Sequence, residues 1–187
     1  MFRVLFIHGL ASSGAYKTAS TLRTLLRPCE VLSPDFPIDP DEMRTMLEDI
    51  RRDFAPDLAV GLSWGGFWAQ KMRGQRKILI NPSFHTSALL RTMKGEVAYL
   101  SPRADGEETF VVTDAVCEAY AGLEETQFEG ITADEAALTY GMFALEDERV
   151  RGGDEFESHY PGRAVYYHGT HLPTFPELKK YLVPLVR

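Results

Sequence analysis

Residues 58–67 read Leu58-Ala59-Val60-Gly61-Leu62-Ser63-Trp64-Gly65-Gly66-Phe67, and this stretch decides the fold. Its first five residues fit a strand buried on both faces, and a helical stretch from Trp64 to about Arg73 follows without a break. Between them, residues 61–65 match the pattern G-x-S-x-G, in which glycines let a strand turn sharply into a helix without Cβ clashes. A turn of that kind leaves the Ser63 hydroxyl projecting at the end of a sheet, in a strained backbone conformation. The pattern is short enough to arise by chance, so its weight comes from the strand before it and the helix after it.

Upstream, Phe2-Arg3-Val4-Leu5-Phe6-Ile7-His8 is another apolar, β-rich run, followed by capping hydroxyls at Ser12 and Ser13 and a helix predicted over 15–27. A short strand at 30–33 leads through Pro34 and Pro37 to a helix signalled by Asp39 as N-cap, Pro40 in the first position and Glu42 placed to close a capping box. Its buried face is Met43, Met46, Leu47, Ile50 and Phe54. Downstream, residues 77–80 form a strand closed by Asn81-Pro82. The alternation then loosens over 83–130, read as an insertion with helical pieces at 87–93 and 114–125 around a polar turn at 102–106. Order returns with a strand at 138–145, a short helix at 154–159, a strand at 164–167 and a last helix over 176–185. Strand and helix alternate about six times, which requires crossover connections and hence a mainly parallel sheet with helices on both faces.

Composition narrows the function. The 187 residues carry 27 acidic and 20 basic side chains, a net charge of -7, the wrong sign for a protein that grips nucleic-acid phosphates. The charge is uneven: residues 96–160 hold 17 acidic residues against Arg103, Arg149 and Arg151, a net -14, and are read as a solvated acidic segment beside a more basic body. Cys29 and Cys117 give neither a disulfide framework nor a zinc spacing, which fits a reducing compartment. The opening apolar run is too short for a signal peptide and no stretch approaches a membrane span, so a cytoplasmic, single-domain protein is expected, without metal or organic cofactor.

A serine hydroxyl needs an imidazole to take its proton, and the imidazole needs a carboxylate to hold it. Of five histidines, His8 ends the first strand and is read as structural, while His85 and His159 fall in the insertion and in a helix. His168 and His171 share the loop after the last strand, where the order nucleophile, acid, histidine places a base, and His171 has more freedom to swing over the sheet edge. The acid belongs past the preceding strand, in Leu145-Glu146-Asp147-Glu148; Asp147 is the choice, with Asp154, read as a helix cap, in reserve. Backbone N–H groups of Trp64 and of Leu10, or its neighbour Ala11, are the candidate donors to an oxyanion. Trp64, Trp68 and Phe84 are candidates for lining an apolar acyl pocket.

The segments Phe6-Ile7-His8-Gly9-Leu10, Gly61-Leu62-Ser63-Trp64-Gly65-Gly66-Phe67, Asn81-Pro82, Asp147-Glu148 and Gly169-Thr170-His171 together resemble the small bacterial YqiA-type esterases of the α/β-hydrolase superfamily, nearly end to end. The resemblance implies an α/β-hydrolase fold, here a minimal one, and a catalytic triad of Ser63, Asp147 and His171; the insertion at 83–130 carries no motif of that family and is expected to cover the pocket as a helical cap. Glu146 stands where that family usually has glycine, and Thr170 replaces an asparagine. The chain begins on the strand leading to the oxyanion loop, so the first two strands of larger hydrolase sheets are expected to be missing. The expected function is hydrolysis of a small-molecule acyl ester or thioester, with no nucleic-acid or membrane partner. A non-catalytic binding or scaffold protein on the same fold, or a peptidase or C–C hydrolase, are the alternatives.

Overall fold

The computed structural model describes residues 1–186. In chain order the elements are β1 (Arg3–Ile7), α1 (Lys17–Leu25), β2 (Glu30–Leu32), α2 (Pro40–Asp53), β3 (Leu58–Leu62), α3 (Trp64–Lys71), β4 (Lys77–Ile80), α4 (Thr86–Arg91), β5 (Gly95–Ala98), β6 (Thr109–Val112), α5 (Asp114–Glu125), α6 (Ala133–Ala137), β7 (Thr139–Ala144), α7 (Gly153–His159) and β8 (Ala164–Tyr167). The chain then runs through α8 (Phe175–Glu177), a π-helical turn at Leu178–Leu182 and α9 (Val183–Val186). Six strands form one sheet in the order β2-β1-β3-β4-β7-β8, every neighbouring pair parallel.

Period-two alternation along the strands divides the core. Val4, Phe6, Val60, Ile78 and Met142 face α1 and the C-terminal helical stretch, packing on Ala19, Leu22, Leu178 and Leu182. Leu5, Ile7, Ala59, Leu79 and Phe143 face the other side and pack on Met43 and Leu47 of α2, Phe67 and Trp68 of α3, Tyr120 of α5 and Phe156 of α7. Helices therefore cover both faces, as the continuous apolar runs require. Asp39 caps α2 by accepting the N–H groups of Asp41 and Glu42 (2.9 and 3.1 Å), with Pro40 just inside.

The excursion between β4 and β7 has two parts. Residues 81–113 overhang the C-terminal ends of the strands and carry α4 and the antiparallel hairpin β5-β6. The helix α5 then runs beside α3 in the same direction: Trp64 and Trp68 Nε1–H donate to the Tyr120 hydroxyl (2.9 and 3.2 Å), Lys71 Nζ to the Leu123 carbonyl (3.1 Å) and Gln70 Nε2 to the Gln127 carbonyl (2.8 Å). It is the crossover that any connection between parallel strands demands. At the return, wholly buried Lys77 pairs with Glu135 of α6, and its N–H donates to the Leu138 carbonyl (2.8 Å).

The sequence reading made this excursion helical; it also contains the hairpin, in which β5 is exposed or half-buried throughout, while β6 is only four residues long and turns Phe110 and Val112 into the core with Val111 exposed. The single helix expected over 176–185 is interrupted by the π-helical turn, where the Val183 N–H reaches back to the Leu178 carbonyl and Pro184 follows with no N–H to give. Among the described residues, no helix is long and apolar enough to cross a membrane.

Candidate active site

Ser63 sits between β3 and α3 with φ 56° and ψ -116°, a left-handed conformation that a non-glycine residue keeps only when its surroundings over-determine it. They do so by hydrogen bonds and by close approach. The Ser63 N–H donates to the Ile80 carbonyl (2.9 Å), and its own carbonyl accepts from Gly66, Ser83 and Phe67 (2.9, 3.0 and 3.2 Å). A Cβ on Gly61 would lie 2.2 Å from the Gly65 carbonyl oxygen, and one on Gly65 would lie 2.0 Å from that of Ile7. Only glycine at both positions lets the turn close and press against the end of β1.

That contact brings the loop after β1 beside Ser63: a Cβ on Gly9 would sit 3.7 Å from the Ser63 Cβ. His8 is buried and bridges the loop. Its Nε2 accepts the Phe36 N–H (3.3 Å), which leaves Nδ1 to carry the proton and donate to the Gly9 carbonyl (2.9 Å). Because a trans peptide points its C=O and N–H in opposite directions, fixing the Gly9 carbonyl also fixes the Leu10 N–H. Burial pushes the His8 pKa down to about 4, against the opposing hydrogen bond to Gly9, so the ring stays neutral in this role at ordinary pH. Trp64 is the first residue of α3, and its N–H has no acceptor within the helix.

The loops after β7 and β8 bring the other expected residues together. His171 Nδ1 lies 2.7 Å from Asp147 Oδ2, both side chains almost wholly buried. A carboxylate only accepts, so Nδ1 carries the hydrogen and Nε2 keeps a lone pair. Asp147 Oδ1 accepts the N–H groups of Arg149 and Val150 (2.8 and 3.1 Å), which locks its rotamer. Asp154 lies in the first turn of α7. His168 is exposed and pairs with Glu146 (2.7 Å), whose other oxygen accepts the Gly169 N–H. Glu146 thus ties down the loop that carries His171.

The sequence reading used Asn81 to end a strand and as part of the family resemblance, with no role in the site, yet it is the joint of this half. With φ 43°, it receives the Ala144 N–H on its side-chain oxygen (2.8 Å) and donates Nδ2 to the His171 carbonyl (2.9 Å) and the Tyr167 hydroxyl (3.1 Å). Ser63, His171 and Leu10 all line one cavity of about 740 Å³. Its walls include Leu89 and Met93 at α4, Val97 of β5, Leu100, Phe84, and the β7–α7 loop with Arg149 and Arg151. The tryptophans do not join it as expected. The helix α3 is apolar on nearly every side, and the hydrogen bonds to Tyr120 turn both indoles into the core; Phe84 alone of the three lines the cavity. His85, which the sequence reading set aside, is in the wall and pairs with Glu155 (2.9 Å). Among the described residues, no three His, Cys, Asp or Glu side chains converge as a metal site would require.

Residues 4–184 match the alpha/beta hydrolase family. Among solved structures, Est1E from Butyrivibrio proteoclasticus is similar with a TM-score of 0.68 at 16% identity, covering 99% of this chain and 88% of its own. A monoacylglycerol lipase from Paleococcus ferrophilus gives 0.65 at 13% identity, covering 98% and 91%, and the methylesterase MES16 from Arabidopsis gives 0.63 at 13%, covering 100% and 99%. At these identities the likeness is one of fold. No curated protein sequence matches the chain.

Proposed function

The chain belongs to the alpha/beta hydrolase family, and from that membership we propose that it is a serine hydrolase of acyl esters or thioesters, of the small YqiA-type esterase kind. The observation that carries the reading is the joint opening of a strained elbow serine and a carboxylate-held imidazole onto one cavity. Ser63 Oγ attacks the carbonyl carbon and its proton passes to His171 Nε2, while Asp147 stabilises the imidazolium formed. The Leu10 and Trp64 N–H groups hold the oxyanion. Collapse of the tetrahedral intermediate expels the alcohol or thiol, which takes the proton from His171. Water then repeats the sequence on the acyl-enzyme, releasing the carboxylic acid and restoring Ser63.

Similar structures include proteins described as a monoacylglycerol lipase and a methylesterase, and Est1E with ferulic acid bound, which supports an ester as substrate. Of the insertion expected as a cap at 83–130, it is residues 83–100 that line the cavity, with Phe84, Leu89, Met93, Val97 and Leu100, which supports a cap role for that part. The free thiols of Cys29 and Cys117 support a reducing, cytoplasmic setting. The test is labelling by a fluorophosphonate together with hydrolysis of short p-nitrophenyl esters. Wild-type protein is expected to label and turn over, Ser63→Ala to lose both, and His171→Ala to lose turnover. An unlabelled, inactive wild type would make the protein a binding module on a hydrolase fold.

A further inference from the structure

Resting on that reading of Ser63, we propose that the ester substrate carries an oxyanionic substituent, a carboxylate or a phosphate, and that Arg149 and Arg151 bind it at the cavity wall. The wall is otherwise mainly apolar, and its α4 and β5 side offers leucine, methionine and valine side chains. The two arginines are therefore out of keeping with their surroundings. They are also two of only three basic residues between positions 96 and 160, against 17 acidic ones. The third, Arg103, is consumed by Asp105 and the Phe36 carbonyl.

Arg149 and Arg151 are not consumed in that way. Both are exposed, and among the described residues no carboxylate lies within 4 Å of either guanidinium. Of the nearby acids, Asp147 holds His171, Glu146 holds His168 and the Gly169 N–H, and Glu155, itself in the cavity wall, holds His85; Glu148 and Asp154 make no ion pair with either arginine. Arg151 Nε donates weakly to the Asp147 carbonyl (3.4 Å), which anchors the side chain and leaves its terminal nitrogens for a ligand. The two residues sit two and four positions after Asp147, so an anion held there is fixed relative to the proposed imidazole and carboxylate. A planar guanidinium binds oxyanions through paired N–H donors, which match the two-oxygen edge that carboxylate and phosphate both present.

The test compares matched ester pairs. The acyl-side pair is mono-p-nitrophenyl glutarate against p-nitrophenyl butyrate; the leaving-group pair is S-butyryl-4′-phosphopantetheine against S-butyrylpantetheine. We expect at least a tenfold preference in kcat/KM for the anionic member of one pair, which also identifies the source of the charge. In the Arg149→Gln, Arg151→Gln double variant that ratio should fall at least tenfold. Equal turnover of both members of both pairs, or a ratio that survives the double substitution, overturns the inference and leaves the serine hydrolase reading intact. Loss of all ester turnover strikes that reading instead. The inference is then decided by titrating Ser63→Ala protein calorimetrically with monomethyl glutarate and with methyl butyrate: tighter binding of the anion that disappears in the double variant supports it, and equal binding overturns it.

Discussion

The ends of β1 and β3 and the ends of β7 and β8 supply the two halves of one site by different physics. At β1 and β3 the backbone is set by close approach: Gly61 and Gly65 pack where a single added carbon would collide with carbonyl oxygens at 2.2 and 2.0 Å. At β7 and β8 the loops are longer and are held by polar groups, with Asn81, Asp147 and Glu146 making the joints. Steric closure leaves almost no alternative geometry. A hydrogen-bonded loop can be loosened one bond at a time, so the first half should fail as fold and the second as activity.

The largest expected effect tests the second half. Asp147→Asn should keep the fold and lower kcat by about 10⁴-fold, because an amide in place of the carboxylate no longer selects the Nδ1–H tautomer of His171. Asp154→Asn should leave kcat within about twofold, since Asp154 belongs to the first turn of α7. Steady-state ester hydrolysis with circular dichroism separates the two, and loss of activity in Asp154→Asn alone would reassign the acid. Next is Gly65→Ala, which should destabilise the protein by about 3 kcal/mol or leave it insoluble. A soluble Gly65→Ala protein with an unchanged urea midpoint would show that the elbow is not fixed by close approach. A smaller loss than from Asp147→Asn or Gly65→Ala is expected from Asn81→Ala, about 2 kcal/mol in stability from the partners it strands and about tenfold in kcat from a loosened His171 loop. If the loss appears only in stability, Asn81 supports the core and does not position the histidine.

The same contrast explains what could be read from the sequence. The elbow was legible because its glycines and serine fall within six consecutive residues between a strand and a helix, although Gly65 closes against the Ile7 carbonyl of β1, and β3 and β4 were predicted with the bounds they have. Chain order and the preceding strands narrowed the acid to residues 146–148 and the base to the loop of His168 and His171, the family resemblance pointed to Asp147 and His171, and in the structure these two lie 2.7 Å apart. The hairpin β5-β6 was not legible because partners remote in sequence hold it. Leu100 N–H donates to the Ala11 carbonyl (2.6 Å), and Asp35 bridges the Gly14 and Ala104 N–H groups (2.7 and 2.6 Å). The direction of Trp64 and Trp68 was equally hidden, since a helix apolar on every side does not say which face meets which neighbour. Arg149 and Arg151 entered the sequence reading only as two of three cations in an acidic segment, and only the fold places them in the cavity wall.

The division of the β4 to β7 excursion has a consequence for how this scaffold can change. The crossover α5 must travel the length of the sheet, so its extent is tied to the strands. The overhang at 81–113 leaves and returns at the same end of the sheet, anchored by the Asn81 N–H on the Met142 carbonyl (2.9 Å) and by Thr113, whose side chain caps α5. Doubling the length of such a loop costs only about 0.6 kcal/mol of closure entropy. Insertions, deletions or transplanted segments past Asn81 and Ser83, which hold the His171 loop and the elbow, would remodel the apolar side of the cavity while the six-stranded sheet, the elbow and the Asp147–His171 pair stayed in register. The molecule is in this sense a fixed chassis with one replaceable part.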